Sequence, residues 1–191
     1  YSALADALSR PDALKESSTT LASFAFLDLD TLIRQRYNAA SNTELTMQNG
    51  GTGDAGDIYT GLDRFGRLVQ TIWATGSSDQ IDTSYGRNRV GGVTWKRNNL
   101  AHALSVATED SYFWYDGLQQ NIRHDRGDLA PSTGPPYTGI VPATRQQMET
   151  RTFDETGNWL SDTTASPALS QTRTHDKANQ ITDLTGPSGV I

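Results

Sequence analysis

A short turn-forming phrase recurs along this 191-residue chain, and residues that favour β-strands lie on both sides of each copy. The clearest copies are residues 63–66, 154–157 and 176–179, each of which begins with Asp and ends with Gly or Asn. An Asp side chain accepts hydrogen bonds from backbone amides two residues ahead, while Gly and Asn tolerate the positive φ that closes a tight turn. Each copy therefore predicts two antiparallel strands joined by a tight turn. The predicted turn residues are Asp63, Gly66, Asp116, Asp154, Gly157, Asp176 and Asn179.

The spacing of the copies indicates a repeat architecture. Turns are predicted near residues 63–66, 85–88, 116–119, 154–157 and 176–179, and the residues that follow them are separated by 22, 31, 38 and 22 positions. A period of 22 residues fits two strands of about eight residues and two turns. The surplus residues are predicted between positions 98 and 110 and in a loop insertion at 126–139, where Gly and Pro are frequent.

Three regions are predicted along the chain. Residues 1–45 contain N-terminal strands in early or degenerate repeats, the clearest being 21–27 and 31–37. A short helix over residues 1–9 is also considered, because its composition favours helix and Pro11 would end it. Residues 46–58 are predicted to form a Gly-rich loop, and residues 59–191 carry the turn-containing repeats.

Residues beside the turns match a known repeat. Tyr115 precedes Asp116, Arg67 follows the turn at 63–66, and Asn158 follows the turn at 154–157. These features resemble the YD repeats of the rearrangement-hotspot (Rhs) and teneurin class, whose consensus is Tyr-Asp-x-x-Gly-Arg/Asn-hydrophobic. The resemblance implies an all-β fold, in which consecutive antiparallel β-hairpins spiral into a hollow shell. This chain would then be an open segment of a larger β-shell.

The class includes bacterial toxin-carrying proteins and animal cell-surface receptors, so the resemblance implies an extracellular or cell-surface location. Complete toxin-carrying members end the shell with Asp-Pro-x-Gly motifs and self-cleaving aspartates, whereas this sequence has no Asp-Pro pair. Neither self-cleavage nor a toxin domain is therefore carried over. The sequence starts at Tyr1, without Met, and we interpret it as a portion of a longer protein.

Composition argues against several classes of function. The 16 basic and 22 acidic residues give a net charge of −6, which offers little electrostatic support for nucleic-acid binding. No stretch approaches the roughly 20 apolar residues of a membrane span. The absence of Cys removes disulfides, thiol catalysis and zinc thiolate sites from this segment.

Other motifs give no cofactor or catalytic site. Residues 51–56 match the dinucleotide fingerprint G-x-G-x-x-G, but that motif requires a helix to follow and turn-forming residues follow instead. The same stretch has Ala55 where a calcium-binding β-roll repeat requires Asp. The histidines at 102, 124 and 175 lack metal-ligand spacing, with His102 interpreted as a strand position. We therefore predict no cofactor, no metal and no enzymatic activity.

The densest aromatic run is residues 112–115. Side chains of a strand alternate between its faces, so two of these aromatics can point inward and two outward. Outward aromatics stack on sugar rings, which makes Tyr112 and Trp114 candidate glycan contacts. The alternative is that they pack between successive hairpins.

The leading functional hypothesis is a non-enzymatic segment of a YD-repeat shell that encloses or presents other parts of a larger secreted or cell-surface protein. The alternative is an extracellular adhesion module that recognises carbohydrate or another surface protein, and a hydrolase is a distant third. The implied partners are the remaining repeats of the longer chain, a C-terminal cargo domain, a second copy, or an extracellular glycan or protein.

Overall fold

A computed structural model of the chain describes residues 11–27, 31–38, 43–46, 61–63, 65–106, 109–165 and 168–186. Most of these residues lie in antiparallel strands that follow one another along the chain, and the predicted all-β fold of consecutive hairpins is confirmed. The helix considered at residues 1–9 and the fingerprint at 51–56 lie outside the described residues. The same holds for the Gly-rich loop predicted at 46–58, except that its first residue, Thr46, belongs to a strand. The described part contains no helix of the length and apolar character that crossing a membrane requires.

The chain divides into two compact units. The first comprises the described residues up to Tyr85 together with Asn98–Val106, and the second comprises Gly86–Arg97 and the described residues from Glu109 onward. In the described part of the first unit, six strands pair antiparallel in chain order. These strands are β1 (Ala13–Glu16), β2 (Thr19–Leu27), β3 (Thr31–Tyr37), β4 (Thr43–Thr46), β5 (Gln70–Thr75) and β6 (Ser78–Arg87), the last two residues of which belong to the second unit.

The core of the first unit forms where apolar residues of β3 and of the segment before β5 meet. Ile33 and Leu62 are buried there, and partly buried apolar side chains of β2 pack on them. The extra residues predicted between positions 98 and 110 contain a short helix, α1 (Asn99–Ala103). Asn98 caps this helix, because its side chain accepts a hydrogen bond from the Ala101 amide. His102 therefore lies in a helix, and its interpretation as a strand position is wrong.

In the described part of the second unit, the main sheet has the order β7-β8-β9-β12-β13-β14-β15, and a separate two-stranded hairpin is formed by β10 and β11. The strands are β7 (Val93–Asn98, whose last residue belongs to the first unit), β8 (Asp110–Tyr115), β9 (Asn121–Gly127), β10 (Leu129–Ala130), β11 (Gly139–Ile140), β12 (Gln147–Phe153), β13 (Trp159–Ala165), β14 (Ala168–His175) and β15 (Ile181–Thr185). A 3₁₀ helix at Pro142–Thr144 follows β11.

Three hairpins of the second unit have the same register. Just before each turn a bulge shifts the pairing, and the residue that precedes the turn pairs with the residue six positions later. These pairs are Tyr115 with Asn121, Phe153 with Trp159, and His175 with Ile181. The repeat recognised in the sequence is therefore also a repeat of backbone geometry.

The loop insertion predicted at 126–139 differs from the structure. Strand β9 continues to Gly127, and the chain between β9 and β12 contains the β10–β11 hairpin and the 3₁₀ helix. We call residues 128–146 the flap. The flap is ordered because Leu129, Tyr137 and Ile140 are buried, with Trp95 and Tyr112 of the main sheet packed against them.

Candidate functional site

Four of the five predicted turns are each built by a single side chain that binds the backbone ahead of it. In the turn at Asp154, Oδ1 accepts hydrogen bonds from the amides of Thr156 (2.9 Å) and Asn158 (2.8 Å). The Gly157 amide donates to the Asp154 carbonyl at 3.1 Å, and Gly157 has a φ of 89°. Hydrogen bonds from the Asn158 side chain and then from the Thr156 hydroxyl hold the pKa of Asp154 well below its ordinary value. We call this arrangement an Asx turn.

Asp63, Asp116 and Asp176 begin turns with the same backbone hydrogen bonds. At Asp63 the Arg67 side chain adds an ion pair to the second carboxylate oxygen at 2.7 Å. Burial raises the pKa of Asp63, but the hydrogen bonds from the backbone and side chain of Arg67 outweigh it and lower the pKa overall. The turn at Asp116 closes with Gln119 at a φ of 65°, although the sequence offers no residue suited to positive φ there.

The turn predicted at 85–88 lies elsewhere. Residues 85–87 still belong to β6, and the turn begins at Asn88, whose Oδ1 accepts hydrogen bonds from the amides of Val90 (3.2 Å) and Gly92 (2.8 Å). Gly91 provides the positive φ, 99°. The prediction was wrong because an Asn carbonyl oxygen can replace the Asp carboxylate. With Asn88 included, the turns begin at 63, 88, 116, 154 and 176, which gives intervals of 25, 28, 38 and 22 residues.

In the second unit, side-chain amides connect neighbouring turns. The Asn88 Nδ2 atom donates to Gln119 Oε1 at 2.8 Å, and the Asn158 Nδ2 atom donates to Asn179 Oδ1 at 2.9 Å. Between these two pairs, a Cβ placed on Gly157 would lie 3.0 Å from Gln120 Nε2. We call the turns that begin at 88, 116, 154 and 176 the turn row. Its amides couple adjacent hairpins in addition to the strand ladder.

Replacing Gly157 with Val is expected to lower the free energy of unfolding by about 1–3 kcal/mol, because a β-branched residue is strained at positive φ. The added side chain would also press on Gln120. The same loss is expected for Gly66→Val, since Gly66 has a φ of 73°. Chemical denaturation measures both effects. Gly117→Val is the control, because Gly117 has open space around it and no positive φ. Equal stability of all three variants would contradict the assigned role of positive φ.

The aromatic residues of β8 are covered by the flap. Tyr112 and Trp114 lie on one face of the strand with ring centroids 4.5 Å apart. Tyr112 packs on the apolar cluster of the flap, and a Cβ on Gly139 of the flap would lie 3.4 Å from the Trp114 ring. Arg123 lies over the Trp114 ring at 4.6 Å. Both aromatic side chains are half-buried and make these protein contacts.

Beneath the flap the same face of the sheet carries charge. Asp125 is fully buried and lies between Arg123 and Arg145, and Asp110 is fully buried and accepts a hydrogen bond from the Leu129 amide of the flap at 3.4 Å. The pKa of Arg123 lies above its ordinary value, mainly because its side chain is hydrogen-bonded to Asp125. Burial of Arg123 acts in the opposite direction. Sequence reasoning missed this group, because nothing local in the sequence distinguishes Asp125 from a surface Asp.

The opposite face of the second unit has a polar cluster across β9, β12 and β13. His124 stacks on Phe113 at a centroid distance of 4.6 Å, and its Nδ1 atom lies 3.6 Å from Glu149 Oε2. Arg151 pairs with Glu149 and, at 3.6 Å, with Asp162. Burial, followed by the charge of Glu149, raises the pKa of Asp162. The described ranges contain no group of three acidic or histidine side chains placed to hold a metal ion.

His124 is expected to make the stability of the second unit depend on pH. Burial lowers its pKa, an effect that Glu149 opposes in part. The unfolded chain then takes up a proton first, so stability falls as pH drops below about 6.5 and continues to fall until the folded pKa is reached. His124→Phe, which keeps an aromatic ring on Phe113, should remove this part of the pH dependence. Denaturant unfolding at neutral pH and at about pH 5 measures it.

The matched control for this variant is His175→Gln, which changes a histidine of β14 that lies outside the cluster. It should keep the acid-dependent loss of stability. If His124→Phe shows the same pH dependence as the unmodified chain, burial of His124 does not control it.

Solved structures share this fold. The chain is similar to "Crystal Structure of TcdB2-TccC3-TEV", with a TM-score of 0.58 and 17% identity over 88% of this chain, and to "Crystal Structure of TcdB2-TccC3-Cdc42", with a TM-score of 0.58 and 17% identity over 85%. The matches span only 8% of each of those chains. The similarity supports the resemblance to the Rhs and YD-repeat class, because TcdB2-TccC3 is a toxin complex of that class. At this identity the likeness concerns the fold. No protein-family model matches the chain, and no curated protein matches it.

Proposed function

We propose that this chain is a structural, non-enzymatic segment of a YD-repeat shell that encloses or presents other parts of a larger protein. The observation that carries the proposal is the turn row, in which successive hairpins repeat one turn geometry and side-chain amides join the turns at 88 and 116 and the turns at 154 and 176. Repeats that contact only their neighbours form a sheet to which further hairpins can be added. A shell wall requires that property, and the similarity to segments of TcdB2-TccC3 supports it.

The open edge of the second unit indicates where a further hairpin would pair. Among the described residues, β15 pairs with β14 alone, and all five residues of β15 are exposed. Ile181 and Leu184 are among the exposed large apolar residues of the described part. The edge has one charged residue, Asp183, and neither Pro nor Lys, so its backbone groups can pair with a strand of matching length. The natural partners would be the remaining repeats of a longer chain, with a C-terminal cargo domain as a further proposed partner.

The proposed location of the parent protein comes from the family resemblance. The proposed lack of enzymatic activity comes from the contacts that the carboxylates make. The class resemblance favours a secreted or cell-surface parent protein. The Asp side chains of the turns bind backbone amides, and Asp125 pairs with arginines, so these groups have structural roles. The alternative of a glycan-binding module has less support, because Tyr112 and Trp114 contact the flap and Arg123.

The open edge at β15 is tested by measuring whether the isolated chain associates with itself. Light scattering at several concentrations should show a mass that rises with concentration, because uncovered edges pair with other copies. Leu184→Lys should suppress this association, since it replaces an exposed apolar residue of the edge strand with a second charged residue. The control is Thr163→Lys on β13, which pairs with strands on both sides. A stable monomer that unfolds cooperatively would argue against an open edge.

The shell itself is tested on the longer protein that contains this chain. Electron cryomicroscopy should show β15 paired with a following hairpin in the wall of a hollow shell. A β15 edge exposed to solvent in that protein would overturn the proposal. Intact mass after prolonged incubation and a screen of glycosidase and esterase substrates test the non-enzymatic part, which robust turnover would contradict.

A further inference from the structure

The side-chain amides of the turn row follow one direction along the chain. The fourth residue of each turn in the row has a positive φ, and these residues are Gly91, Gln119, Gly157 and Asn179. At the junction between the turns at 154 and 176, the donor is Asn158, the fifth residue of its turn. Its Nδ2 atom donates to Oδ1 of Asn179, the fourth residue of the following turn, at 2.9 Å.

The two earlier junctions have the same direction. Gln120 is the fifth residue of its turn, and its Nε2 atom lies 3.0 Å from the place that a Cβ would take on Gly157, the fourth residue of the next turn. At the first junction the fifth residue is Gly92, which has no side chain. Asn88 Nδ2 lies 3.1 Å from the place of a Cβ on Gly92 and donates to Gln119 Oε1 at 2.8 Å. At each junction an amide at or beside the fifth position therefore meets the fourth residue of the next turn.

The turn row ends in an amide that meets no such residue. Gln180 is the fifth residue of the turn at 176, and its side chain is exposed. Its backbone amide donates to Asp176 Oδ1 at 2.9 Å, as that of Asn158 donates to Asp154 Oδ1 at 2.8 Å. Within the ranges that the structure describes, the side-chain amide of Gln180 makes no hydrogen bond. This amide therefore occupies the donor position of the row at the open end of the sheet.

We infer that the Gln180 side-chain amide is the attachment point for a further turn of the same kind, presented by the hairpin that pairs with β15. This inference rests on the proposed shell function and states what the next repeat offers at the contact. The fourth residue of the incoming turn is Asn or Gln, whose carbonyl oxygen accepts as at Asn179 and Gln119, or Gly, which leaves room for the amide as at Gly157.

The contact at Gln180 sets the register of the incoming strand. Burial of one face specifies register strongly, but all five residues of β15 are exposed, so burial specifies the register of β15 weakly. A strand that slipped along β15 by two residues would keep its faces and still form a ladder. It would, however, move its turn away from Gln180 and lose the amide contact.

The test is an extended chain in which a copy of residues 166–185 is inserted after Thr185, so that the copied hairpin follows β15 and presents its own copy of Asn179. Hydrogen exchange of the β15 amides shows whether the copied hairpin pairs with β15. Denaturant unfolding then measures Gln180→Ala in the extended and the unextended chain. We expect the folding equilibrium constant to fall about threefold to tenfold in the extended chain, because one hydrogen bond is lost, and to change little in the unextended chain.

A change of Asn to Gly at the fourth position of the copied turn keeps the positive φ and removes the acceptor. It should abolish the effect of Gln180→Ala. Gln80→Ala, at an exposed glutamine of β6, is the control and should affect both chains equally. If the copied hairpin protects β15 but Gln180→Ala has the same effect in both chains, the inference fails and the open edge stands. If the β15 amides stay unprotected, both the inference and the open edge of the proposed function fail.

Discussion

Replacing Asp125 with Asn is expected to lower the free energy of unfolding by about 3–5 kcal/mol, one of the two largest effects expected in this protein. Asp125 is fully buried, and its charge compensates that of Arg123. Removal of one partner from a buried ion pair leaves the other charge without compensation in a poorly hydrated place, and this desolvation accounts for most of the loss. Since Arg145 also approaches Asp125, the variant should loosen the end of the flap as well.

Urea denaturation followed by tryptophan fluorescence measures the loss. The matched control is Glu109→Gln, which removes an ion pair of similar length, 2.7 Å to Arg126, at an exposed position. Exposed pairs contribute about 0–1 kcal/mol, so the control should remain close to the unmodified chain. If both variants lose the same small amount, Asp125 is solvated in solution and the description of a buried charge is incorrect.

Gly86→Ala is expected to lower the free energy of unfolding by about 3 kcal/mol or more, at the upper end of the cost of overpacking. A Cβ on Gly86 would overlap the indole ring of Trp95, with Cδ1 only 2.6 Å away. The obstruction cannot be relieved by a small rotation, because Trp95 packs edge-on against Tyr137 of the flap at a centroid distance of 4.9 Å. Displacement of the indole would therefore disrupt the apolar cluster that holds the flap on the sheet.

The effect is isolated by a double-mutant cycle with Trp95→Ala. Each single variant should be destabilised, and the added methyl group should cost little once the indole is absent. Gly117→Ala is the control for glycine replacement itself, because nothing lies within 4 Å of a Cβ at that position. A Gly86→Ala variant with unchanged stability and unchanged tryptophan fluorescence would show that Trp95 does not cover Gly86 in solution.

The repeated turns and strands follow from short-range features of the sequence. An Asx turn is local, because one side chain binds amides two and four residues ahead, and a positive φ follows at the next-to-last position. Such a turn can be recognised from five consecutive residues, without knowledge of the remainder of the chain. The flanking strands and the all-β fold follow from the same local preferences. The turn that begins at Asn88 is an exception. Its position was predicted wrongly, because Asn and Asp serve equally in the first position of the turn.

The buried charges and the covered aromatic residues, in contrast, depend on contacts between distant segments. Burial of Asp125 depends on a flap that begins at residue 128 and an arginine at 145, and the cover over Tyr112 and Trp114 depends on side chains more than 14 residues away. A strand has two faces that are equivalent in the local sequence, and the face that becomes buried is set by which distant segment packs on it. The aromatic run was therefore visible in the sequence, but its inward packing was not.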